Sequence, residues 1–81
     1  MNSTYNSTLD LNFKIDRKIE VINTIIDFIK RNETIMSAEL ISVFGPIGDD
    51  IYIKINFIHT QRLNFLIDEL QELLSIYEVN I

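Results

Sequence analysis

The apolar residues of the last third of the chain, residues 51–81, change period twice with no proline or glycine between them. Over residues 51–57 every odd position is Ile or Phe, and this period of two predicts a strand with one buried face. The spacing becomes three and four over residues 63–74, which is typical of an amphipathic helix. Alternation returns at Tyr77, Val79 and Ile81 and predicts a closing strand. Such a βαβ unit crosses over right-handedly and leaves its two strands parallel. The apolar stripe of its helix is assigned to Leu63, Leu66, Ile67, Leu70, Leu73 and Leu74.

The amino-terminal half repeats this organisation. Odd-numbered apolar residues over positions 8–15 predict a first strand, and Asp16 is predicted to cap the helix that follows by accepting its first free N–H groups. Lys30 and Arg31 suit the negative end of the helix dipole, and Asn32 is predicted to close the helix in a left-handed conformation. The helix stripe is assigned to Ile19, Ile22, Ile25, Ile26 and Ile29, with Val21 and Phe28 at its flanks.

Residues 35–44 fit either a short helix or a strand. Their β-branched and aromatic residues, and the turn-rich segment GPIGDD that follows, favour a strand leading into a hairpin. The predicted order is therefore βαββαβ, an α+β fold of the ferredoxin-like type with two helices on one face of a four-stranded antiparallel sheet. Residues 1–7 are predicted to be a disordered polar tail, and residues 8–81 a single domain.

Composition limits the functional classes. The chain has 81 residues, no cysteine and a net charge of −5, which opposes binding to nucleic acid or to anionic membranes. No signal peptide or membrane-spanning run is visible, so a cytoplasmic location is expected. A domain this small buries a modest share of its surface, and a partner surface is expected as well.

The side chains offer little chemistry. His59 is the only histidine and is interpreted as a surface or capping residue rather than a zinc ligand or catalytic base. The acidic residues of the second helix, Asp68, Glu69 and Glu72, are interpreted as a solvated face, and Asp49 and Asp50 as turn residues. We therefore expect no enzymatic activity, no metal and no cofactor.

The predicted sheet has one face without helices. Tyr52, Ile58, Ile41 and Val43 are expected on that open face. Exposed apolar surface and an unpaired edge strand call for a second chain, so we expect a homodimer that forms through sheet edges or sheet faces.

The order and pattern of these elements resemble ACT domains, in particular the short regulatory subunits of acetolactate synthase, in which one ACT domain makes up nearly the whole chain. The resemblance covers about residues 9–81 and is clearest in IYIKINF, His59-Thr60 and RLNFLIDELQELLSIYEVNI. LDLNFKIDR is similar to the family's first strand and exit loop, and KRNETIMSAELISV to its first helix end and second strand.

The resemblance implies a regulatory role in branched-chain amino-acid synthesis. The implied partners are a catalytic large subunit and an amino-acid effector: valine, leucine or isoleucine. The implied effector site is the loop Asp16, Arg17 and Lys18, facing Asn32, Glu33 and Thr34 of a symmetry partner, with Arg17 or Lys18 supplying charge for a carboxylate.

One position departs from the family. Ile19 stands where amino-acid-binding ACT domains usually have a glycine, and its branched side chain hinders close approach of a ligand to the backbone. The alternative reading is that Arg17 and Lys18 are solvated first-turn residues, and that the chain is a ligand-free dimerisation or protein-interaction module of another system.

Overall fold

A computed structural model describes residues 3–81, and Met1 and Asn2 lie outside the described residues. The strands are β1 (Tyr5–Lys14), β2 (Ile35–Ile47) and β3 (Asp50–His59), and the helices are α1 (Lys18–Arg31) and α2 (Leu63–Leu74). Single turns of 3₁₀ helix cover Ile15–Arg17 and Ser75–Tyr77. The α+β class, both helices and the strand preference for residues 35–44 are confirmed.

The three strands form one antiparallel sheet in the order β1-β3-β2. The odd residues of β1 and β3 that were predicted to be buried do face the core, and Phe57 is fully buried in the central strand. This arrangement of three antiparallel strands and two helices is compatible with a ferredoxin-like fold, although the sheet has three strands rather than the predicted four.

The predicted closing strand is wrong. Its first residue, Tyr77, belongs to the 3₁₀ turn Ser75–Tyr77, and Glu78 adopts a left-handed conformation with φ of 57°. Only Asn80 then reaches the sheet, through a single antiparallel bridge to Asn12 in which both N···O distances are 2.9 Å. Because the turn includes Tyr77, too few residues remain for a strand. Val79 is therefore buried without belonging to a β-ladder.

The predicted tail is too long at its carboxyl end. β1 begins at Tyr5, and Tyr5 and Ser7 pair with His59 and Phe57 of β3. The apolar alternation begins at Leu9, so it gave no indication that the strand starts at Tyr5. Residues 1 and 2 of the predicted tail lie outside the described residues.

The buried face of α1 is rotated relative to the predicted stripe. Val21, Ile25 and Phe28 are buried, whereas Ile19 is 73% exposed and Ile26 42% exposed. Apolar residues occupy half of the positions of this helix and lie on more than one face, so periodicity alone does not choose between neighbouring faces, and packing on the sheet decides. In α2 the buried residues are Leu66, Leu70 and Leu74, whereas Leu63 and Leu73, which were assigned to the stripe, are exposed.

The ends of α1 are only partly as predicted. The Asp16 carboxylate makes no cap hydrogen bond, because residues 15–17 form a 3₁₀ turn and the helix begins one residue after Arg17. The helix ends at Arg31 as predicted, but Asn32 has φ of −95° and is not left-handed.

β2 is irregular and longer than predicted. Register shifts relative to β3 occur near Met36, near Ile41 and between Phe44 and Ile47. The last shift includes Gly45, whose φ of +112° favours glycine, and a Cβ there would lie 2.8 Å from the backbone oxygen of Asp50. The strand therefore continues through the segment predicted to be a turn, and only residues 48 and 49 turn the chain.

Candidate functional site

The six residues of the predicted effector site lie at the two ends of α1. Asp16, Arg17 and Lys18 are exposed at its start, and Asn32 to Thr34 follow its last residue. A helix of 14 residues separates the two groups by about 20 Å at 1.5 Å per residue. They do not converge within one chain, so a shared site would need a second copy.

The segment after α1 forms a polar cluster with the loop before α2. Asn32 Oδ1 accepts a hydrogen bond from the Thr34 backbone N–H at 2.9 Å, which fixes the turn into β2. Asn32 Nδ2 donates to Glu69 Oε2 at 3.4 Å, and Gln61 Nε2 donates to Glu69 Oε1 at 3.1 Å. Glu69 is exposed, as predicted, and it also joins both loops to α2.

A groove of about 580 Å³ between the helices adjoins this cluster. Its large apolar residues are Phe28 and Leu73. Its charged residues are one basic side chain, Arg31, and three acidic ones: Asp27, Glu33 and Glu69. Of the six residues predicted to bind an effector, Asn32 and Glu33 line this groove.

His59 is buried, which contradicts its interpretation as a surface residue. Its Nδ1 lies 2.6 Å from the backbone oxygen of Gln61, and its Nε2 lies 2.8 Å from Ser7 Oγ. A carbonyl oxygen can only accept, so Nδ1 carries a proton and donates to Gln61, while Nε2 and the Ser7 hydroxyl form the second hydrogen bond. The Tyr5 ring stacks on the imidazole at a centroid distance of 5.5 Å. His59 therefore ties the start of β1 to the end of β3, and its odd position in the strand alternation was the signal for its burial.

We expect His59→Phe to lower the free energy of unfolding by about 1–3 kcal/mol, because a phenyl ring cannot form hydrogen bonds and leaves the Gln61 carbonyl and the Ser7 hydroxyl without their partner. Urea unfolding followed by circular dichroism measures the change. A loss below about 0.5 kcal/mol, the range of a surface substitution, would contradict this structural role.

The outer edge of β2 has no neighbouring strand among the described residues. Within its 13 residues Glu39 is the only charged side chain. Its large apolar residues other than the half-buried Ile35 are about half exposed or more: Met36, Leu40, Ile41, Val43, Phe44 and Ile47. Val43 lies opposite Ile53 and thus faces the helix side, not the open face on which it was predicted. Exposed apolar residues were predicted on the open face of the sheet, where Tyr52 is indeed exposed, but most of those on the sheet lie along this edge strand.

The open face of the sheet is largely polar. Four of its charged residues form two pairs: Lys14 Nζ lies 2.9 Å from Asp50 Oδ1, and Lys54 Nζ lies 3.8 Å from Asp10 Oδ1. Glu39, opposite Asn56, adds one further negative charge. The hydrogen bond and charge of Asp50 raise the pKa of Lys14. This face is therefore close to neutral, in contrast to the chain as a whole.

Within residues 3–81 no group of three His, Asp or Glu side chains could hold a metal ion. In the same part of the chain, neither helix has the length and apolar character to cross a membrane. No protein-family model, curated protein or solved structure matches this chain.

Proposed function

We propose that this protein is a non-catalytic regulatory subunit that dimerises through β2 and binds a larger catalytic chain in the cytoplasm. The exposed apolar edge of β2 is the observation that carries this proposal. Edge strands of monomeric proteins are usually short, or blocked by lysine and other charges, because they otherwise pair with further strands. β2 has 13 residues, no lysine and one acidic residue.

A second copy suits this edge. Antiparallel pairing of two β2 strands around a two-fold axis extends the sheet to six strands and brings Leu40 and Val43 of both copies together on the helix side. The acidic excess of the chain lies mostly outside β2, so repulsion at the edge is small.

The same symmetry supports the predicted effector site. A two-fold axis through β2 makes the two α1 helices antiparallel. Residues 16–18 of one copy then lie at the same end of the assembly as residues 32–34 of the other. Arg17 and Lys18 are exposed and make no ion pair within residues 3–81, so they are available to an effector carboxylate.

The specific form of the proposal rests on the resemblance to acetolactate synthase small subunits. It assigns the catalytic partner as an acetolactate synthase large subunit and the effector as valine, leucine or isoleucine. We expect the two chains to co-elute and the synthase rate to change on mixing. No co-elution and no change in rate would contradict this assignment.

Calorimetry with the three amino acids tests the effector separately. Binding lost in both Arg17→Ala and Lys18→Ala, and retained in Lys54→Ala, supports the shared site. Lys54 is the control because it is an exposed cation on the open face of the sheet, on the side away from α1.

The alternative function, a ligand-free interaction module, is favoured by Ile19. This side chain is 73% exposed at the position where a ligand would approach the backbone. A stable dimer that binds none of the three amino acids and no synthase would support this alternative.

A further inference from the structure

Two aromatic side chains project side by side from the open face of the sheet. Phe44 of β2 lies opposite Tyr52 of β3, with ring centroids 6.4 Å apart and ring planes inclined at 54°. Phe44 is 62% exposed and Tyr52 40% exposed. Because the rings are inclined, neither covers the face of the other, and aromatic surface is left for a ligand.

A groove of about 450 Å³ runs beside these rings, a size that suits a small ligand. Its polar residues form a row across three strands, in which Asp10 lies opposite Lys54 and Lys54 opposite Ser42. Asn80 and Ile81 line the groove as well, brought to the sheet by the bridge between Asn80 and Asn12. The groove thus offers an aromatic platform together with hydrogen-bond donors and acceptors.

We infer that this groove binds a nucleobase, stacked on Phe44 or Tyr52 with its polar edge toward Asp10, Ser42 and Lys54. A nucleobase is planar and carries both donors and acceptors on its edge, and stacking on aromatic side chains is a principal contribution to its binding by proteins. This inference does not depend on an amino-acid effector, and it shares Ser42 and Phe44 with β2.

Charge indicates which nucleobase source fits. The ammonium of Lys54 lies beside the Asp10 carboxylate, so this part of the face offers no net positive charge to a phosphate chain. The same ring chemistry occurs in free nucleosides and in single-stranded nucleic acid, and the near-neutral face favours the free nucleoside.

Titration of the ¹⁵N-labelled full chain with adenosine, followed by amide chemical shifts, tests the site. We expect saturable shifts at Phe44, Tyr52 and their strand neighbours. Phe44→Leu and Tyr52→Leu remove one ring each and are expected to weaken binding about tenfold. Phe65→Leu is the matched control, because Phe65 is 52% exposed on α2, and should leave the affinity unchanged.

A second titration with a single-stranded octa-adenylate distinguishes the two sources. If the octa-adenylate binds no more tightly per site than adenosine, the ligand is a free nucleoside. If it binds more tightly and its affinity falls with salt, the groove still binds a nucleobase, but the ligand is single-stranded nucleic acid. The inference is overturned if neither probe binds, if the shifts lie between the helices, or if binding survives loss of both rings. Dispersed spectra of each variant establish that the loss is not due to unfolding.

Discussion

Val43→Lys is expected to convert the proposed dimer into a monomer. Val43 is 55% exposed on the helix side of β2, and two-fold pairing of this strand places both copies of the residue at the interface. Two lysines would then be desolvated near each other, and juxtaposed like charges cost several kcal/mol. We expect the dissociation constant to rise at least about 100-fold, or about 2.7 kcal/mol. Size-exclusion chromatography with light scattering over a range of concentrations measures the change.

Ile76→Lys is the matched control for this prediction. Ile76 is 72% exposed in the 3₁₀ turn after α2, away from β2, so the same added charge should leave the dimer intact. A wild-type chain that is monomeric at micromolar concentration would contradict the proposed dimer. Equal weakening by both substitutions would show that net charge, rather than the β2 edge, controls association.

Phe57→Ala should cause the largest loss of stability among core substitutions. Phe57 is fully buried in the central strand, and loss of a buried phenylalanine ring typically costs about 3–5 kcal/mol through lost burial and the cavity left behind. Domains are usually stable by about 5–15 kcal/mol, so this change removes a large share. For a domain of this size we expect Tm to fall by at least about 12 °C. Thermal unfolding followed by circular dichroism at one fixed protein concentration measures it.

Phe65→Ala provides the comparison, since it removes the same ring from an exposed position on α2. Its effect should stay within about 0.5 kcal/mol. Similar losses for the two variants would contradict the assignment of Phe57 to the centre of the core.

The strongest sequence predictions came from segments with a single clear period. The alternation of residues 51–57 placed the buried face of β3 correctly, because a strand has only two faces. A helix can direct any of several faces toward the core. In α1 isoleucine occurs on more than one of these faces, so the pattern did not indicate that Val21, Ile25 and Phe28 are the buried residues. The closing strand failed for a different reason. Tyr77, Val79 and Ile81 alternate, but a 3₁₀ turn and the left-handed Glu78 limit the pairing of this segment to the single bridge between Asn80 and Asn12.

The candidate sites also combine features that the sequence predicts with features that only the tertiary structure shows. The segments around Asp16 and Asn32 could be named from resemblance, and the helix predicted between them already separated them within one chain, as α1 does in the structure. The burial of His59 and the meeting of Phe44 with Tyr52 depend on strand pairing between segments distant in sequence.

By itself the sequence determined the α+β class, the two helices and the polar alternation that leaves one sheet face open, because these follow from local periodicity. The tertiary structure decided that the sheet has three strands, that β2 is a long exposed edge, and which face of α1 is buried. The physical reason is that register, helix rotation and the last turn are set by contacts between elements. One periodicity in the sequence is compatible with several registers and helix rotations, and packing between the elements selects one of them.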